Sequence, residues 1–243
     1  MSYHGVGTRF SALVILFVAW SISPISLGEV DAASLSTSIT SDQIVQRMVD
    51  SNEKRAQDLR HYIEDRHYRV EFKGFPSIAA SMDVEVTYDA PSSKTFRVLS
   101  QKGSKLLIDL VLKKLLESEK EAAKDPSQIA LTPENYVFAL LGTEAASDQK
   151  LFVFHVEPRE NRKFLYRGTI WIDAKDYAVA RIEAEPARNP SFWIRRTEIH
   201  HVYSKTGDFW LPERNKSETT VRLGGTAILT IDYGSYQIKT AGS

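Results

Sequence analysis

The 243-residue chain contains no cysteine. That absence excludes disulfide frameworks, iron–sulfur clusters, thiolate zinc sites and cysteine nucleophiles. Charge of one sign is missing too: 31 Lys and Arg stand against 31 Asp and Glu, for a formal net charge of zero. Binding a phosphate backbone calls for an excess of basic side chains, so nucleic acid is not an expected partner. The same neutrality gives no simple electrostatic reason to expect attraction to an anionic membrane. Glycine and proline are sparse, at 12 and 9 residues, which argues against a low-complexity or disordered chain. There is no fixed-period repeat and no Pro/Gly/Ser linker. With 42% hydrophobic and 26% charged residues, what remains is a thiol-free globular chain.

Nor does any apolar run reach the roughly 20 residues that a membrane-spanning helix needs. The longest, over 10–20, follows Arg9 and precedes Pro24 and the small-residue pattern Val30-Asp31-Ala32. A basic start, a short apolar stretch and small residues at −3 and −1 predict a secretory signal peptide over residues 1–32, cleaved before Ala33. An uncleaved anchor is the alternative if the run extends through Ile25. No cysteine follows the run, so lipidation there is excluded. The expected product is a single exported domain, 33–243, located in the periplasm.

The exported part reads as helix, strands, helix, strands. Thr40-x-x-Gln43 is a capping box ahead of Ile44, Val45, Met48 and Val49, which predicts an amphipathic helix over 42–59. The period then changes to two. Tyr68, Val70 and Phe72 alternate with His67, Arg69, Glu71 and Lys73, and Met82, Val84, Val86 and Tyr88 alternate with Asp83, Glu85 and Thr87. Such alternation is that of half-buried antiparallel strands. A third strand over 95–101 leads to a helix from Leu106 to Leu116, whose apolar residues project around most of its circumference and so predict burial on more than one side. Further strands are expected over 135–143, 151–157, 164–173, 177–185, 192–204, 209–223 and 226–238, with Gly224-Gly225 as a two-residue hairpin signal. The fold class is therefore α+β and mainly β: a strongly curved antiparallel sheet of about ten strands, an open or half barrel covered by helices. The stretches 151–154, 170–172 and 192–194 are apolar on both faces and locate its interior.

Catalytic patterns are scarce. His61 and His67 are six apart at a helix-to-strand boundary, and His200 and His201 are expected on opposite faces of a strand, so neither pair presents two ligands to one metal. Glu117, Glu119 and Glu121 diverge on a helix and read as a charged face. Gly103-Ser104-Lys105 lacks the upstream glycine of a phosphate loop, and neither a nucleophile elbow nor a metalloprotease motif is present. The expectation is a protein that is not an enzyme and uses no cofactor or metal.

The hairpin Gly168-Thr169-Ile170-Trp171-Ile172-Asp173, continuing through Asp176-Tyr177 to Arg181-Ile182-Glu183, and the later Gly207-Asp208-Phe209-Trp210-Leu211-Pro212 carry a resemblance. With the order of elements over roughly 40–240, they resemble the periplasmic LolA/LolB-like lipoprotein-carrier superfamily, which includes the MucB/RseB-like sensors. The resemblance implies an open barrel whose concave face holds the acyl chains of a lipid or lipoprotein. An inner-membrane export complex or an outer-membrane receptor is the implied protein partner. The Glu/Lys-rich end of the second helix and the His200-His201 pair depart from the best-known carriers. On this reading Met82, Val84, Val86, Tyr88, Leu106, Leu110, Val111, Phe152, Phe154, Trp171 and Trp193 are the candidate cavity residues. Phe75, Pro76 and Ile78, in an apolar loop between two strands, are candidates for contact with a membrane or a partner. The competing function is a periplasmic sensor or assembly scaffold that binds a protein.

Overall fold

A computed structural model describes residues 39–240 except 92, 147–148, 190–191 and 223. The expected signal peptide lies outside the described residues. Helix α1 (Ser41–Asp58) begins at the expected capping box, with Thr40 Oγ1 accepting from the Gln43 amide and Gln43 Oε1 accepting from the Thr40 amide. It runs directly into β1 (Leu59–Lys73), which is followed by β2 (Ile78–Asp89) and β3 (Ser93–Gly103). The second helix, α2, consists of Lys105–Leu107, a π-helical stretch Ile108–Leu112 and Lys113–Lys124. Seven strands then follow: β4 (Tyr136–Ala146), β5 (Gln149–Pro158), β6 (Tyr166–Asp173), β7 (Val179–Pro186), β8 (Ile194–Thr206), β9 (Phe209–Val221) and β10 (Thr226–Tyr233). The short β11 (Gln237–Thr240) closes the series, so the expected last strand is split in two.

All strands pair antiparallel in one curved, unclosed sheet in the order β3-β2-β1-β10-β9-β8-β7-β6-β5-β4, with β11 alongside the start of β1. This is the open, helix-covered sheet that the resemblance implies. The topology explains why a helix crosses its concave face. The chain leaves β3 at one edge and must re-enter at β4, the opposite edge, and α2 lies on that route.

Two separate apolar cores result. Ile44, Val45 and Met48 of α1 pack on Phe152, Phe154, Ile170 and Ile172 of the β4–β7 end. Leu107, Ile108, Leu112 and Leu116 of α2 pack on Tyr68, Met82, Val84 and Val86 of the β1–β3 end. The second helix corrects one expectation. Leu106 and Leu110 are 59% and 57% exposed, so α2 buries one broad face and leaves these two outside. On the helical wheel they fall opposite the arc that holds Ile108, Leu112 and Leu115, and a single covering layer has nothing to place on them.

Candidate ligand cleft

One row of side chains crosses the concave face strand by strand: Met82, Tyr68, Ile231, Asn215, His201, Ile182, Ile170 and Phe154 are successive cross-strand partners. Its ends are buried, Met82 and Tyr68 in the α2 core and Ile170 and Phe154 in the α1 core. Asn215 and His201, in the middle, belong to neither core.

A cleft of about 620 Å³ opens there, over β6–β8. Its floor and walls are Phe164, Leu165, Tyr166, Ile182, Ile199 and His201, with Ser118 of α2 at one side and Lys163 and Arg188 at the edge. A second hollow of about 340 Å³ shares Phe164, Tyr166, Ile182 and His201 and reaches Asn52 and Arg55 of α1. The combined opening therefore runs from one helix to the other. An apolar concavity of this size with a few polar groups is the usual form of a small-molecule site. Phe164 has φ 71°, a left-handed conformation that a bulky residue rarely adopts. It delivers the ring to the wall that both hollows share.

The interior of the cleft is electrically silent. Burial pushes the His201 imidazole down to about 4, against a hydrogen bond with Asn215 that favours the charged form, so the ring is neutral at physiological pH. Burial likewise raises the Tyr203 phenol to about 12 and holds the Tyr166 phenol well above its ordinary value. Among the described residues no carboxylate lines the cleft, and the two cations at its edge are exposed. Among the described residues no group of three or more His, Asp or Glu is placed to hold a metal ion. The chemistry on offer is the solvation of something apolar.

The wall formed by α2 is fixed by charge as well as by packing. Arg66 on β1 is almost fully buried and donates from Nε to Glu64 at 2.7 Å and from an Nη to Glu119 of α2, also at 2.7 Å. The Tyr68 hydroxyl donates to the other Glu119 oxygen at 3.1 Å, and the Arg66 guanidinium lies 4.6 Å from the centre of the Tyr233 ring. Lys94 of β3 approaches Glu119 to 3.5 Å; burial and then the neighbouring Arg66 pull its ammonium below the usual lysine range. Glu119 is therefore turned inward, while Glu117 is exposed and Glu121 pairs at the surface with Lys163.

None of the sequence-derived cavity candidates lines the cleft. Met82, Val84 and Val86 are fully buried under α2, where Tyr88 and Val111 also pack, and Phe152 and Phe154 are buried under α1. Leu106 and Leu110 point outward, as described. Trp171 is buried apart from both cores: it donates its indole N–H to Glu144 at 2.7 Å and stacks under Arg181, 3.8 Å from the guanidinium. Strand alternation is the reason, since Ile170 and Ile172 take the α1 side and Trp171 must take the other. Trp193 sits before β8, 53% exposed, beside Phe192. Of the loop candidates, Phe75 and Pro76 are exposed and Ile78 packs at the edge of the α2 core.

The cleft residues that the sequence reading passed over are Phe164, Ile182, Ile199, His201 and Tyr203. A signal was available in β8, where Thr197, Ile199, His201 and Tyr203 alternate with Glu198, His200 and Val202. The reading does hold that His200 and His201 face opposite ways. His200 is exposed, while His201 faces the cleft.

No family model matches the chain, and no curated protein matches it. Among solved structures it is similar to a DUF1329 family protein from Desulfovibrio piger, at 10% identity over 83% of this chain and 94% of that one, with a TM-score of 0.43. It is similar to a putative outer membrane lipoprotein-sorting protein domain from Vibrio parahaemolyticus, at 13% identity over 82% and 94%, with a TM-score of 0.39. A LolA superfamily protein from Nitrosomonas europaea matches at 12% identity over 83% and 94%, with a TM-score of 0.37.

Proposed function

We propose that the protein is a periplasmic carrier of acyl chains, a lipid or the lipid part of a lipoprotein, and that the cleft between α1 and α2 is where the chains lie. The observation that carries this reading is the cleft itself: about 620 Å³, walled by Phe164, Leu165, Tyr166, Ile182 and Ile199, with a neutral histidine at its centre. An acyl chain needs no specific hydrogen bonds, only apolar surface removed from water, at roughly 0.8 kcal/mol per buried CH₂. The cleft provides that surface and, among the described residues, places no carboxylate against it. Lys163 and Arg188 stand where an anionic head group would emerge. The role is carriage and not catalysis, and the chain would pass its cargo between membrane-bound partners.

Two measurements test it. Native mass spectrometry of protein purified from the periplasm should show an adduct of lipid mass, and a fluorescent fatty-acyl probe should bind. The variant Ile199→Trp fills the cleft from a partly exposed wall position and should lower probe affinity by at least about tenfold. A protein that never carries lipid and takes up no probe is not an acyl carrier.

A protein-binding scaffold is the second reading, and β4 favours it. This strand forms one edge of the sheet and exposes Val137, Leu140 and Leu141. An exposed apolar edge strand is a template for pairing with a strand from another chain. Crosslinking from Leu141 in cells should then trap one defined protein.

A further inference from the structure

The zero net charge conceals an uneven distribution. Four segments meet at one rim of the sheet: 73–77 between β1 and β2, 101–106 between β3 and α2, the described residues 187–189 and 192–195 before and into β8, and 221–222 with 224–226 between β9 and β10. They are joined in space. The Arg222 amide donates to the Trp193 carbonyl at 2.8 Å, Lys73 pairs with Thr226, and the Ser104 amide donates to the Ala79 carbonyl at 2.8 Å. These segments contain six cations, Lys73, Lys102, Lys105, Arg188, Arg195 and Arg222, and no Asp or Glu. All six are exposed, and among the described residues none is held in an ion pair. The opposite rim is mixed in sign, with Asp89, Asp173, Asp176 and Asp208 beside Lys150, Lys175 and Lys205, and there Lys205 pairs with Asp176 at 2.6 Å.

The same basic rim exposes the largest aromatic side chains. Phe75 is fully solvent-exposed at the tip of its loop, and Phe192 and Trp193 are 74% and 53% exposed, stacked edge to face at 5.5 Å. Arg222 lies over the Phe192 ring at 5.1 Å. Leu106 adds a fourth apolar side chain at the start of α2. Folding gains nothing by leaving these four in water.

We infer that this rim is a docking surface for a bilayer containing anionic phospholipid. Tryptophan and phenylalanine settle at the boundary between head groups and acyl chains. Lysine and arginine near an anionic surface add about 1 kcal/mol each. A protein surface would meet six unpaired cations with an equal need for acids, but three exposed aromatics raised among the cations on loop tips match a soft, anionic, half-apolar boundary better than a contoured one. Arg188 belongs both to this rim and to the edge of the cleft, so docking sets the cleft's edge beside the membrane. The expectation of indifference to anionic membranes, drawn from net charge, is thereby replaced. The inference stands on the rim alone and does not depend on what the cleft holds.

Flotation of the protein with vesicles tests it. Binding to phosphatidylglycerol-containing vesicles should exceed binding to pure phosphatidylcholine vesicles and should fall with added salt. The double variant Lys73→Gln, Arg222→Gln should weaken partitioning roughly 30-fold, whereas Lys175→Gln on the opposite rim should leave it unchanged. Brominated acyl chains should quench tryptophan emission, and Trp193→Phe should remove that quenching. Equal binding to both vesicle types, no binding to either, quenching that survives Trp193→Phe, or capture of a protein partner by the rim in place of lipid each overturns the proposal. The rim variants should retain uptake of the acyl probe, whereas Ile199→Trp should lose uptake and retain flotation, so failure of the carrier reading and failure of the docking reading are told apart.

Discussion

Arg66 of β1 and Glu119 of α2 meet at 2.7 Å beneath the helix, joining the third strand from the β3 edge to the element that walls the cleft. The pair is held in a largely buried setting, the arginine side chain 2% and the glutamate 21% exposed. Removing one member of such a pair leaves the other charge without its counterpart. Glu119→Gln should therefore cost roughly 3 kcal/mol, lowering the melting temperature by roughly 6–12 °C. Hydrogen exchange should rise first in 105–124. An unchanged melt with unchanged exchange would show that packing alone seats α2.

His201 predicts an acid sensitivity. Its folded value, about 4, lies below its ordinary value of 6.5, because burial penalises the charged ring. An unfolded chain takes up the proton first, so stability contributed by the neutral ring is intact above about pH 6.5 and is lost progressively as pH falls toward 4. His201→Gln should flatten that part of the stability curve, measured by denaturant midpoints across the range. A slope that persists in the variant assigns the sensitivity to another group.

Gly168 opens the hairpin motif for a steric reason. A Cβ there would stand 2.3 Å from the Glu183 carbonyl oxygen and 2.6 Å from the Ala184 Cα, and φ is +152°. Both obstacles are neighbouring-strand backbone, which cannot step aside without breaking the β6–β7 ladder. Gly168→Ala should cost roughly 2–3 kcal/mol and disorder that hairpin, seen as lost dispersion of its amide signals.

Trp171 separates the two faces of the sheet experimentally. Trp171→Phe removes one hydrogen bond to Glu144, which keeps Arg181 at 3.3 Å, so a loss of roughly 1 kcal/mol is expected. Uptake of an acyl probe should not change, because the ring lies outside the cleft. Reduced uptake would return Trp171 to the ligand site.

Periodicity carries local structure well and says little about what covers it. The Thr40–Gln43 capping box and the alternation through Met82, Val84 and Val86 were legible because each is enforced within a few residues. Which apolar row lies under a helix and which stays open was not, since that depends on the long return from β3 to β4. Met82 and Ile182 have the same character in sequence; α2 covers the first, and the second lines an opening. His201 was legible as facing away from His200 but not as the centre of the cleft. The rim escaped because its cations arrive one or two at a time from four distant segments and vanish in a sum.

The failure of β3 and β4 to pair has a mechanical consequence. A closed barrel has its radius set by strand number and shear. A ribbon with two free ends keeps every ladder intact while its bend changes. With α1 seated on one end and α2 on the other, flexing at β8 and β9 moves the two packed ends as jaws. The gap between them is then set by the curvature of the sheet and by no ladder hydrogen bond across it.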